Sequence, residues 1–283
     1  MKFSLFDTGS IKVKPGDLFL GISETGCQSH YPIDENGLCT LSLRTLLIAD
    51  GPRKIITDTG IGNTIHKDFL NLYGYRPGRS LAAQLADLSV GTEDVTDVIL
   101  THLHFDHCGG NVVKDSGKTL TGSSYTPAFP HAVYWVSRKH WEWACDHDHR
   151  EPDTYFDHTF IPLKEKGNLH LMEKEETIIP GIDVVFCDGH TMGLMLPLIR
   201  THRCTVAFAG DLIPTAAHVN PACQMSYDLD PVKNRKEKTN FLGKAVQEGW
   251  TIVLQHDHYH ECFGVEATRD GYAIKELRSL ESL

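Results

Sequence analysis

The chain reads as a mixed helix-and-strand fold made of many short strands, several of which lead straight into metal-capable side chains. Three observations support that expectation. Apolar runs of strand length recur along the sequence, most of them closed by Gly, Pro, Asp or Asn. Segments with helical periodicity are fewer and carry start and stop signals of their own. Four apolar runs, ending near residues 100, 187, 209 and 255, deliver His or Asp just beyond their ends.

Taken in order, residues 11–22 (IKVKPGDLFLGI) predict two short strands around a turn at Pro15-Gly16. Residues 23–37 are polar and turn-rich, and a loop of that length serves either as a wall of a substrate pocket or as plain surface. Residues 41–49 and 54–57 predict strands joined by Asp50-Gly51-Pro52. The second leads into Asp58-Thr59-Gly60, where Asp58 either orients a metal ligand from behind or caps the turn. Ser80 opens a helix, SLAAQLADLSV, with Leu81, Leu85 and Leu88 on its core side and Gly91 closing it.

Residues 114–131 are polar and irregular, and a strand at 132–136 (AVYWV) precedes a helix capped by Ser137. That helix ends in Asp146, His147, Asp148, His149 and Arg150. No strand flanks this cluster to fix it, so it reads as a solvated helix end. Further strands are predicted at 177–179, 182–187, 194–199 and 204–209. Asp230-Pro231 then starts a helix to about Glu248, with Phe241, Leu242, Ala245 and Val246 on its apolar side and Gly249 as its stop. The strand 251–255 (TIVLQ) ends in His256-Asp257-His258.

The most informative stretch is residues 95–110, VTDVILTHLHFDHCGG. Here a short apolar strand runs into His102, His104, Asp106 and His107. Imidazole and carboxylate suit zinc and similar divalent metals. Two histidines at i and i+2 on extended backbone point the same way and can share one ion. Asp106 and His107 follow in the turn, where they can face a second ion.

Composition sets the bounds. The 283 residues can bury a sizeable core, and 41% hydrophobic with 23% charged residues is ordinary for a globular protein. A net charge of −10 argues against nucleic acid as the main partner. Nothing approaches the roughly 18 apolar residues of a membrane span, and the first residues lack the apolar core of a signal peptide. The eight cysteines form no C-x-x-C pair and read as reduced thiols, so a cytoplasmic location is expected. The expected partner is a small-molecule substrate, with neither nucleic acid nor membrane, while a homodimer stays open.

The segments THLHFDHCGG, DGHTMG, AGDL and LQHDH, in this chain order, resemble the metallo-β-lactamase superfamily over roughly residues 40–260. The resemblance implies an α+β fold, an αββα sandwich of two mixed sheets with helices outside, formed by residues 1–283 as one domain. It implies that His102, His104 and His190 hold one ion, that Asp106, His107 and His256 hold another, and that Asp211 bridges them. The cofactors would be two divalent metal ions, zinc first, with iron, manganese or cobalt as alternatives. His258 and His260 are the alternatives to His256, which lies nearest its strand's end.

Seven nitrogen and oxygen ligands for two ions leave coordination positions open, unlike a closed structural zinc site. Two ions about 3.5–4 Å apart can activate a hydroxide and clamp an ester oxygen, and Asp106 would manage the proton. The HFDH form, GDLIPTAAH and QHD are most similar to the lactonase and phosphotriesterase-like members. They imply hydrolysis of a small neutral ester-type bond: a lactone or aryl ester, with phosphotriesters as a side activity.

Two departures stand out. Leu212, Ile213 and Pro214 follow Asp211 where such lactonases often place a Tyr, and Leu194 stands where many members have a second His. The leaving-group acid is thus unassigned, with His218 and Tyr227 as candidates. His104 stands where the diiron oxygen-reducing members have Glu, and Asp211 where the best-known β-lactamases have Cys. The alternatives are a glyoxalase II-like thioesterase, a persulfide dioxygenase with one iron, and a non-catalytic metal-stabilised binding protein. Phe105, Met192, Leu212 and Ile213, next to ligands in sequence, predict a partly apolar pocket.

Overall fold

The apolar runs become sixteen strands in the computed structural model, which describes residues 1–21, 31–115 and 125–280. They are β1 (Lys2–Val13), β2 (Cys39–Asp50), β3 (Arg53–Thr57), β4 (Arg76–Pro77) and β5 (Asp97–Ile99), then the pair β6 (Val112–Lys114) and β7 (Tyr125–Pro127). Next come β8 (Val133–Ser137), β9 (Leu169–Met172), β10 (Thr177–Ile179), β11 (Ile182–Cys187) and β12 (Leu194–Arg200). The last are β13 (Thr205–Phe208), β14 (Thr251–Val253), β15 (Cys262–Thr268) and β16 (Gly271–Arg278). The chain divides into two compact units, Met1–Gly9 with Leu43–Lys174, and Ser10–Ser42 with Glu175–Leu283.

In the first unit the sheet order is β4-β1-β2-β3-β5-β8-β9. Strands β3, β5, β8 and β9 run parallel, so the residues that follow β3 and β5 leave from the same edge. Leu47, Ile56, Val98, Tyr134 and Val136 fill the core, with Trp141, Phe160 and Leu163 packed on them. Burying a side chain of this size is worth about 1.5–3 kcal/mol, which holds the strand ends in place. Behind the β5 exit, a Cβ on Gly110 would lie 2.3 Å from the Thr59 carbonyl oxygen. Only glycine permits that approach of the two turns.

In the second unit the sheet order is β10-β11-β12-β13-β14-β15-β16. Strands β11, β12 and β13 are successively antiparallel, and β13 and β14 are parallel. Strands β11, β13 and β14 therefore all end at one edge. The helix Pro231–Glu248 packs Phe241, Leu242 and Ala245 against Leu196, Ala207 and Ile252. It has the start and stop read from the sequence. Asp230 accepts from the Lys233 N–H, Pro231 opens the first turn, and Gly249 closes it at φ 69°.

Several expectations are corrected. The two strands predicted across residues 11–22 are one long strand, β1, followed by a short helix, Pro15–Leu18. Proline at the first helical position and Asp17 in the first turn favour that start, and Leu18 is buried beneath it. The helix opened by Ser80 runs Leu81–Asp87, so Leu88 falls past its end and is 48% exposed, while Gly91 precedes a separate turn at Thr92–Asp94. Of the stretch 114–131, expected to be irregular, Lys114 ends β6 and Tyr125–Pro127 form β7, which pairs with it. The proposed pocket-wall loop at 23–37 lies mostly outside the described residues.

Candidate metal centre

Of the seven candidate ligands, His102, His104, Asp106 and His107 lie in the first unit and His190, Asp211 and His256 in the second. In the first unit the chain leaves β5 through Thr101, and His102 and His104 follow, His104 on extended backbone. Their facing nitrogens, His102 Nε2 and His104 Nδ1, lie 3.0 Å apart with both rings buried. The short helix Phe105–Cys108 then turns the chain, setting His107 Nε2 3.6 Å from Asp106 Oδ2. The Asp106 carboxylate is partly exposed, whereas His107 is sealed.

Asp58, just past the end of β3, lies behind two of the candidate ligands. It is fully buried, and its backbone is left-handed at φ 56°, a conformation an aspartate tolerates at a cost. Its Oδ1 accepts the Thr101 N–H at 2.7 Å. Its Oδ2 accepts the Thr101 hydroxyl at 2.7 Å and His107 Nδ1–H at 2.9 Å. Because the Thr101 hydroxyl gives its proton to Asp58, its oxygen accepts from His102 Nδ1–H at 3.0 Å. One carboxylate therefore fixes the tautomer of two histidines.

In the second unit His190, Asp211 and His256 follow β11, β13 and β14. Asp211 divides its oxygens, with Oδ2 3.2 Å from His190 Nε2 and Oδ1 3.0 Å from His256 Nε2. His190 Nδ1–H donates to Asp228 Oδ1 and His256 Nδ1–H to the Ser42 carbonyl, both at 2.9 Å.

This arrangement fits divalent metal. Outward Nδ1–H groups on His102, His107, His190 and His256 leave their Nε2 lone pairs facing inward, as metal-ligating histidines require. Bare nitrogens 3.0 Å from each other, or 3.0–3.2 Å from a carboxylate oxygen, repel unless a cation lies among them. In each unit the donors are imidazole and carboxylate with no thiolate, which suits zinc or a similar ion.

Other candidates fall elsewhere. His258 is exposed and meets the Ser42 hydroxyl through Nδ1 at 3.0 Å. His218 is a core residue: Nε2–H donates to the Leu18 carbonyl at 2.9 Å, and Nδ1 accepts the Thr215 hydroxyl at 2.8 Å. Burial holds its pKa well below the usual value, so it is no acid for a leaving group. Tyr227 is 42% exposed, its ring edge-on to His190 at 6.4 Å. Cys108 is a sealed thiol pushed up to about 12 by burial. Asp146, His147, Asp148 and His149 are exposed at the helix end.

Leu212 and Ile213, expected to line a pocket, are fully buried in the core of the second unit. The aromatic surface lies instead in the first unit, where Phe105 meets Phe69 at 5.1 Å and Tyr73 at 5.0 Å, and Phe69 meets Phe156 at 4.8 Å. Sequence reasoning missed Thr101, Asp228 and Ser42 as partners of the ligands. Only Thr101 carried a signal, as the hydroxyl residue directly before His102.

Residues 44–113 match the family model of the metallo-β-lactamase superfamily. That match covers about a quarter of the chain, and the expected α+β class is the one found. Among solved structures it is similar to a probable metal-dependent hydrolase from Staphylococcus aureus, at 24% identity and a TM-score of 0.85 over 98% of both chains. It is also similar to AidC, a dizinc quorum-quenching lactonase in complex with a product, at 18% identity and a TM-score of 0.77, covering 96% of this chain and 92% of that one. An N-acyl homoserine lactonase of Bacillus cereus is 26% identical over 164 residues, 54% of this chain. That match spans about half of the curated relative's length, 56%.

Proposed function

We propose that the two units act as one hydrolase domain, in which the half-sites together hold two divalent metal ions and cleave a neutral ester-type bond. His102, His104 and His190 would hold one ion and Asp106, His107 and His256 the other, with one Asp211 oxygen on each. The observation that carries this reading is the pairing of donors. Each half-site offers two donor pairs, and Asp211 turns a different oxygen to His190 and to His256.

When bound, the ions supply a nucleophilic water at neutral pH and Lewis acidity toward the ester oxygen. The residues of the chain do the rest. Asp58, Asp228 and the Ser42 carbonyl keep the ligand nitrogens deprotonated and aimed. Asp106 has Oδ2 turned to His107, so Oδ1 is the atom assigned to take the proton and return it to the leaving group. The partly exposed aromatic group around Phe105 would hold an acyl chain or aryl group.

No Lys or Arg lies within several residues of His102–His107 or of Asp211, which favours neutral substrates over phosphodiesters. The likeness to lactonases supports the same class. Zinc is the metal proposed, and the cytoplasm the location. The seven described cysteines form no disulfide, and no described helix is long and apolar enough to cross a membrane.

The test is a comparison of rates on an acyl lactone, an aryl ester, a phosphotriester and a phosphodiester, before and after strong chelation. Lactone or aryl-ester hydrolysis that chelation abolishes is the expected result. A dominant phosphodiester rate, or full activity in verified metal-free protein, would overturn it.

A further inference from the structure

Glu151 lies just beyond the exposed run Asp146 to His149, yet its carboxylate turns inward and is only 14% exposed. Its Oε2 accepts the Trp143 indole N–H at 2.6 Å and the Tyr155 hydroxyl at 3.1 Å. Its Oε1 is buried, accepts no hydrogen bond among the described residues, and lies 4.0 Å from His104 Nε2. The Tyr155 ring packs edge-on to the His104 ring at 5.0 Å, so the residue that holds the carboxylate also holds the imidazole.

A buried carboxylate oxygen left without a donor costs free energy, and a fold keeps one only where something offsets it. His104 Nε2–H, 4.0 Å away, is the donor that a small movement would bring to it. His104 turns Nδ1 toward His102, the reverse of the other four histidines, so Nε2 must carry the proton for Nδ1 to act as a ligand.

We propose that Glu151 is the positioning residue of His104. It selects the Nε2–H tautomer and moves into hydrogen-bond contact when Nδ1 takes a metal ion. It thereby strengthens the ion held by His102 and His104 without acting on the one held by Asp106, His107 and His256. The inference rests on the two-ion reading above. It adds an asymmetry to it: His104 and His190 of the first ion both have carboxylates behind them, whereas of the second ion's histidines His107 has Asp58 and His256 only a backbone carbonyl.

The test is zinc release from the full-length, zinc-loaded chain into a chromophoric chelator of known affinity, compared for the parent protein, Glu151→Gln and Tyr155→Phe. Glutamine keeps the shape and an acceptor oxygen but loses the charge. In Glu151→Gln one of the two release steps should weaken about 10–100-fold while the other holds. Tyr155→Phe, which loosens Oε2 alone, should shift the same step by a smaller factor and serves as the readout if the glutamine variant does not fold. Equal weakening of both steps would mean a general structural role and would overturn the proposal, as would no change in either. If the parent protein holds a single zinc, the two-ion reading falls. The proposal is then judged on that one step, supported if Glu151→Gln weakens it and overturned if not.

Discussion

Asp58→Asn is the substitution with the most specific expected consequence. The carboxylate accepts three hydrogen bonds in a site closed to water, and asparagine has the shape to replace it but only one acceptor oxygen. With that oxygen kept on the Thr101 N–H, the amide nitrogen stands where Oδ2 stood and faces the Thr101 hydroxyl and His107 Nδ1 with donors. His107 must then accept at Nδ1 and carry its proton on Nε2, the atom turned toward Asp106. The Thr101 hydroxyl, now an acceptor from the amide, donates to His102 Nδ1 and reverses that tautomer as well.

One ligand of each proposed ion is thus set against binding. Losing the partner of a ligating histidine costs about 10–100-fold in metal affinity, roughly 1.4–2.7 kcal/mol per ion. The metal-stripped protein should lose only about 1–2 kcal/mol of stability, since most of the hydrogen bonds are reformed with reversed polarity. Chelator competition reads the first quantity, and urea unfolding of the stripped chain the second. Both zinc steps should weaken together, unlike the single step expected for Glu151→Gln. Zinc affinity within twofold of the parent protein at both steps would refute the tautomer argument.

Three further outcomes follow from the geometry. Asp211→Ala should lower metal content and activity far more than His258→Ala, because Asp211 faces two ligand nitrogens and His258 is exposed; atomic absorption and rates decide it. Burial lowers Lys238 from its usual 10.5 to about 8, so the unfolded chain binds more protons between those values and stability should rise through that window, by roughly 3 kcal/mol in total. Lys238→Met should flatten the rise in urea midpoint between pH 8 and 10.5, and identical slopes would refute the assignment. His218→Gln should cost about 1–3 kcal/mol of stability through its two buried hydrogen bonds yet leave the shape of the pH–rate profile unchanged.

The candidate ligands were legible because their chemistry is scarce and their position regular. His and Asp that directly follow apolar strands have few packing roles, and parallel strands bring such residues to one edge. The residues behind them were not legible. Asp228 lies 38 positions from His190, and Ser42 lies 214 from His256, contacting it through backbone that any side chain would supply. Glu151 was hidden beside a charged cluster whose first four members, Asp146 to His149, are exposed.

Fold errors have equally local causes. Leu88 has helical spacing but lies past the last turn, and Leu212 and Ile213 flank a ligand yet point into a core. Strands β15 and β16 went unread because their apolar runs are short, ended by Glu266 in one and by Lys275 and Glu276 in the other.

The central claim is that seven side chains from two halves of the chain hold two ions. Anomalous diffraction from crystals of the zinc-loaded protein tests it most directly. Two anomalous peaks about 3.5–4 Å apart, one beside His102, His104 and His190 and the other beside Asp106, His107 and His256, with an Asp211 oxygen on each, is the result expected. A single peak, or peaks away from these residues, would contradict it.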